Sequence, residues 1–150
     1  EKTAPFDTLL WVLYRTPDVD SGEDEIIDRF CHLCHLPSPA EVYQQEVTTA
    51  AEEPMTRILL FWDMEDTPPK IQPLFEEIVH SDFKGLGFRE LSSAIFFFDT
   101  TRHLLFHPYD DRGVDIVGKT TEDILFLYKE CRNWLLDYDI ERMKQTFEPK

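Results

Sequence analysis

Apolar residues along the chain gather in short runs separated by turn-forming clusters. The first run, Thr8-Leu9-Leu10-Trp11-Val12-Leu13-Tyr14, is rich in strand formers and stops at Thr16-Pro17-Asp18, which predicts a buried strand. Ser21-Gly22-Glu23-Asp24 has the spacing of a capping box and opens a helix with Ile27, Phe30, Cys31 and Cys34 on one face. Ser38-Pro39-Ala40-Glu41 repeats that spacing with proline at the first helical position, predicting a short helix toward Val47. Thr56 to Met64, with Ile58, Leu59, Leu60, Phe61 and Trp62, reads as a second buried strand. Thr67-Pro68 caps a helix in which Ile71, Leu74, Phe75, Ile78 and Val79 recur at helical spacing, and Gly85 and Gly87 break the chain.

Three strands follow at hairpin distance: Ala94–Asp99, Arg102–Pro108 and Gly113–Gly118, joined through Asp99-Thr100-Thr101 and Asp110-Asp111-Arg112-Gly113. Thr120-Thr121-Glu122-Asp123 then caps a long helix with Ile124, Leu127, Tyr128, Cys131 and Trp134 on one stripe. Asp139 caps a last helix carrying Ile140, Met143 and Phe147. This order predicts an α+β fold: a mixed or antiparallel sheet of about five strands, ending in a three-strand meander, with helices packed on it. The runs at 8–14 and 58–62 are apolar throughout, so helices are expected over both of their faces. A length of 150 residues suits one domain spanning 1–150 with a core of its own.

Composition changes this picture little, but charge changes it more. A hydrophobic share of 42%, with 12 Phe, 5 Tyr and 3 Trp, excludes a disordered chain. No apolar run approaches the roughly 18 to 20 residues of a membrane span. Glu1-Lys2-Thr3-Ala4-Pro5 shows neither the basic start nor the apolar stretch of a signal peptide, and the three cysteines are expected to be reduced thiols in a cytoplasm. The formal net charge of −15 is uneven: residues 1–66 hold 15 acidic against 4 basic residues, a net −11, and residues 67–150 hold 15 against 11, a net −4. Such a field repels nucleic acid and anionic membrane, and steers a basic partner toward the N-terminal half.

Candidate chemistry is sparse. Cys31-His32-Leu33-Cys34-His35 has the spacing of a haem c attachment site, but its cysteines fall on the buried face of a predicted helix and no second cysteine pair exists to complete a zinc site. Core cysteines are the simpler reading, and no cofactor or metal is expected. The acids from Asp18 to Glu25 lack the ligand order of a calcium loop, since Gly22 stands where the fifth position needs an oxygen. His103 and His107 lie on one hairpin with Asp110, and alternate strand residues share a face, so an acid–base or metal pair is conceivable there. No nucleophile elbow, phosphate-binding loop or His-Glu-x-x-His helix is present, so no enzyme is expected.

Tyr109-Asp110-Asp111-Arg112-Gly113-Val114-Asp115 and Trp134-Leu135-Leu136-Asp137-Tyr138-Asp139 set charges beside large aromatics. They read as architecture: Gly113 supplies a left-handed turn position, and Arg112 can pair with Asp137 or Asp139 if the C-terminal helix crosses the meander. With the upstream Ser81-Asp82-Phe83, Ile95-Phe96-Phe97-Phe98 and His103-Leu104-Leu105-Phe106-His107, and with Phe147 closing, these segments resemble the bacterial family called domain of unknown function 3885. The resemblance is specific over residues 70–147. It implies a small cytoplasmic bacterial protein without an established enzymatic activity.

The expectation for function is therefore a binding protein. Small acidic domains serve polymorphic toxin systems as immunity proteins, and by that analogy the chain would occlude a cognate basic toxin domain, a nuclease being the natural candidate. The alternative is a general intracellular interaction or regulatory domain. The acidic half nominates Asp18, Asp20, Glu23, Asp24, Asp28, Asp63, Glu65 and Asp66 as contacts, with Trp62 or Tyr43 as aromatic anchor.

Overall fold

Alternation within the apolar runs sorts their side chains onto the two sides of one sheet. The structure, a computed structural model, describes residues 6–16, 22–64, 70–81, 83, 94–110 and 112–148. Its strands are β1 (Thr8–Arg15), β2 (Glu41–Thr48), β3 (Pro54–Asp63), β4 (Ile95–Asp99), β5 (Leu104–Asp110) and β6 (Gly113–Gly118). Its helices are α1 (Glu23–Cys34), α2 (Ile71–His80), α3 (Thr121–Glu130) and α4 (Ile140–Phe147). The strands form one antiparallel sheet in the order β2-β3-β1-β4-β5-β6, so the fold is α+β with six strands.

Register explains the core. Leu9, Trp11 and Leu13 of β1 stand opposite Trp62, Leu60 and Ile58 of β3, and Leu9 and Trp11 also oppose Phe97 and Ile95 of β4. Directly opposed residues share a face. All eight are buried, and α1 and α2 lay Phe30, Cys34, Leu74 and Ile78 into the same cluster. The Phe30 ring sits 4.5 Å from Trp11 and 5.5 Å from Trp62, centroid to centroid. Leu10, Val12, Leu59, Phe61, Phe96 and Phe98 point to the other face and are only half-buried. Helical cover was expected over both faces; among the described residues α1 and α2 both pack on one of them. On the other face, large side chains on strands roughly 4.8 Å apart shield one another.

The largest difference from the sequence reading is β2, where a helix was expected. Eight residues, Glu41 to Thr48, pair in register with β3. The Trp62 indole N–H donates to the Pro37 carbonyl at 2.9 Å and the Ala40 N–H to the Phe61 carbonyl at 2.7 Å, which lays the chain along β3 from its start. Val42, Tyr43, Val47 and Thr48 favour an extended chain, and the ladder overrides a local capping signal. This strand is the sixth.

The helix ends show which caps form. At α1 the capping position is Gly22, at φ 63°, with no side-chain hydrogen bond, and Ser21 lies outside the described residues. Thr67, Pro68, Gly85 and Gly87 also lie outside them, and α2 begins after Lys70, whose N–H donates to the Cys34 carbonyl at 2.9 Å. At α3 the expected box is complete: Thr120 N–H donates to Asp123 Oδ2 at 2.8 Å while Thr120 Oγ1 accepts from Asp123 N–H at 3.4 Å. Asp139 precedes α4 without capping it; its Oδ1 lies 2.7 Å from Arg142. The helix α3 stops at Glu130, so Trp134 is not on its stripe but in a 3-10 turn, Arg132–Trp134, followed by a second at Asp137–Asp139. Among the described residues no helix is long and apolar enough to cross a membrane.

Candidate functional site

The first strands converge at one end of the sheet, where pairing sets Thr8 opposite Asp63 and Glu41 opposite Phe61. A cleft of about 390 Å³ opens there, lined by Asp7, Thr8, Ala40, Glu41, Phe61, Trp62, Asp63 and Thr100. Among the described residues that line it, three are acidic and none is basic. Asp7 is buried and clamps the neighbouring turn: its Oδ2 accepts from Thr100 N–H at 2.8 Å and Thr100 Oγ1 at 2.6 Å. Glu41 and Asp63 are exposed. Tyr43, exposed beside the cleft, packs edge-on against Phe61 at 5.8 Å and donates its hydroxyl to Glu41. That hydrogen bond, and then the Glu41 charge itself, hold the Tyr43 phenol above its ordinary value. The cleft therefore offers carboxylates, with an aromatic ring next to them, to a cationic group.

Of the contacts nominated from sequence, Asp63 and Trp62 line this cleft, and Tyr43 stands next to it against Phe61. Asp24 and Asp28 stand one turn apart on the exposed side of α1, and Glu23 is the first residue of that helix. Asp18, Asp20, Glu65 and Asp66 lie outside the described residues. Trp62 is not a surface anchor: it is 1% exposed, because its ring faces Phe30 and its indole N–H is satisfied by Pro37. Asp7, Glu41 and Phe61 were not nominated. Glu41 carried a helix-cap signal, and no sequence spacing links it to Asp7 or Asp63.

The signature segments divide. Gly113 opens β6 without a positive φ; its lack of a side chain matters because an added Cβ would lie 3.3 Å from the Tyr109 hydroxyl. Asp110 ends β5 beside an irregularity in the β5–β6 ladder, Asp111 lies outside the described residues, and Arg112 and Asp115 are exposed. The bridge expected from Arg112 to the C-terminal helix is not what Asp139 makes, since it pairs with Arg142 one turn along α4, and Asp137 is exposed. Trp134 is 87% exposed.

The remaining candidates stay apart. His103 sits in the β4–β5 turn at φ 56°, its Nδ1 4.0 Å from Asp123. His107 stacks on Phe96 at 4.4 Å on the half-buried face of the sheet, with Nε2 buried and without a hydrogen bond. The two histidines therefore share no pocket. Cys34 is buried in the core and its thiol is pushed up to about 12, first by burial, then by Cys31 and Glu77. Cys31 is raised as well, by burial and then by Asp28. Neither thiol is poised as a thiolate, and among the described residues no three metal-ligating side chains cluster.

Residues 3–139 match the family model described as Domain of unknown function (DUF3885). No curated protein and no solved structure matches the chain.

Proposed function

The chain belongs to the DUF3885 family, and from that premise we propose that it is a binding protein whose acidic cleft receives a cationic segment of a protein partner. The observation that carries this reading is the cleft that gathers Asp7, Glu41 and Asp63, with no basic side chain among its described lining residues and the exposed ring of Tyr43 packed against its Phe61. It lies in the half of the chain with net charge −11, so long-range attraction and local contacts favour the same class of partner. In its sharper form the protein is a cytoplasmic bacterial immunity protein, and the partner is a basic toxin domain, a nuclease being the best match in charge. Occlusion suffices for neutralisation, so no catalytic group is needed.

Co-expression with the product of the adjacent gene tests the proposal. The expected result is capture of a basic protein whose toxicity to the host the chain suppresses. Its association rate should drop steeply as salt rises, and by about tenfold in Glu41→Lys combined with Asp63→Lys. A captured partner that is harmless would favour a general interaction domain over immunity. A rate indifferent to salt and to both substitutions would reject the cleft altogether.

A further inference from the structure

The strand β2 closes one edge of the sheet, and its residues from Glu41 to Thr48 run one for one along β3 without a register shift. Two details fix which of its backbone groups face outward. Thr49 N–H donates to the Glu53 carbonyl at 2.9 Å, which makes these two a hydrogen-bonded pair. Thr48 stands opposite Pro54, which has no N–H to give. Bonded and non-bonded pairs alternate along an antiparallel ladder, so Tyr43, Gln45 and Val47 turn their N–H and C=O groups to β3. Val42, Gln44, Glu46 and Thr48 turn theirs away from the sheet, and all four are exposed. Among the described residues no strand pairs with that side.

Sheets guard such an edge with lysine, proline, a bulge or a covering segment. The sequence of β2, Glu-Val-Tyr-Gln-Gln-Glu-Val-Thr, has neither lysine nor proline, and its register is unbroken. What it has is acid. From residue 41 to residue 53 the chain holds Glu41, Glu46, Glu52 and Glu53 and no lysine or arginine. Arg15 and Arg57 reach the middle of the strand from β1 and β3, where they donate to Gln44 and Gln45. Glu41 lines the cleft and accepts from the Tyr43 hydroxyl, and Glu46 accepts from the Thr56 hydroxyl at 3.0 Å. Charge selects the occupant. A second copy would bring the edge glutamates of one chain of charge −15 to those of another, whereas an extended segment bearing lysine or arginine meets opposite charge.

We propose that the free edge of β2 receives an extended basic segment of the partner as an added strand, main chain to main chain. The inference rests on the reading of the partner as cationic and adds how it is held. Directly opposed residues share a face, and the separation of Glu41 from Glu46 is odd, so the two glutamates lie on opposite faces. The matching segment therefore has basic residues at that same separation, with apolar residues between them opposite Val42 and Tyr43, both of which are exposed.

A blocked synthetic peptide with the order lysine, threonine, threonine, valine, valine, lysine tests this, since antiparallel pairing sets its lysines opposite Glu46 and Glu41. The readout is amide hydrogen exchange of the full chain by nuclear magnetic resonance. Without peptide, the outward N–H groups of Val42, Gln44, Glu46 and Thr48 should exchange freely, and those of Tyr43, Gln45 and Val47 slowly. With about nine-tenths of the chain bound, the outward amides should slow by about tenfold, because only the free fraction exchanges. Methylating the peptide nitrogens that face β2 should abolish this protection, and methylating the alternate ones should not. Gln44→Pro removes one outward donor at a position where edge strands accept proline, so it should fold, which circular dichroism checks, and should bind the peptide about tenfold more weakly.

Outward amides that become protected in the chain alone as its concentration rises would give the edge to a second copy and overturn the proposal. So would a peptide that leaves every amide unchanged at millimolar concentration. Peptide-induced shifts confined to Asp7, Glu41 and Asp63, with the outward amides still exchanging freely, would reject strand addition and leave the cleft reading standing. Equal protection by a peptide with glutamates in place of the lysines would reject the basic occupant, and the cationic reading with it.

Discussion

Three tryptophans in one chain meet two fates, and the difference lies in what their neighbours supply. Trp11 and Trp62 flank Phe30 in the core, and Trp62 can be buried because the Pro37 carbonyl accepts from its indole. Trp134 has no such enclosure and stands in solvent. The same core governs Cys34. Its thiol rises from 9.0 to about 12 on folding, so the native chain holds that proton more tightly than the unfolded chain does. The resulting stabilisation is complete below pH 9.0 and is lost as pH climbs from 9.0 toward 12. Across that window the group should remove about 1.4 kcal/mol of stability per pH unit. Urea denaturation at pH values on either side of 9.0 should show a steeper loss in the wild type than in Cys34→Ala. Parallel curves would mean that the thiol is not in a proton-retaining environment.

At the scale of elements, one spacing has two outcomes. Thr120 and Asp123 close a reciprocal cap and α3 follows. Ser38 and Glu41 stand at the same separation, yet Glu41 begins a strand. What differs is the neighbourhood: Val42 to Thr48 favours extension, and the edge of β3 supplies eight residues to pair with. A cap signal decides only when no longer-range pairing competes with it. Where it does decide, it contributes measurably. Thr120→Ala should cost about 1 kcal/mol and lower the melting temperature by about 3 °C in a chain of this size. Thermal circular dichroism checks this, and an unchanged midpoint would show that Asp123 or solvent takes over the cap. The β2 strand also places Glu41 opposite Phe61 and beside Tyr43, so the misread element is the one that builds the cleft.

The whole molecule is polar in charge, with −11 on residues 1–66 and −4 on residues 67–150. The carboxylates of the cleft and the free edge of β2 both belong to the more acidic part. A net charge of −15 on 150 residues also opposes compaction. Screening should relieve it, so the melting temperature should climb by roughly a few degrees between low salt and physiological ionic strength, about 8 Å of screening length. A falling melting temperature in calorimetry would show that attractive ion pairs, such as Arg132 with Glu148, outweigh the repulsion.

The buried runs at β1 and β3, the β4–β5–β6 meander and the capped start of α3 were legible along the chain, because alternation, turn residues and caps act over a few neighbours. The family was legible too, through short ordered strings of residues that survive any folding question. Only the tertiary structure made 41–48 a strand, placed α1 and α2 on one side of the sheet, and left Trp134 in water. It alone brought Asp7, Glu41 and Asp63 to one cleft, since carboxylates from three segments become neighbours only when β1, β2 and β3 pair. Local preference settles what each segment can be. Partners distant along the chain settle which of those options is used, and with it where the surfaces for binding lie.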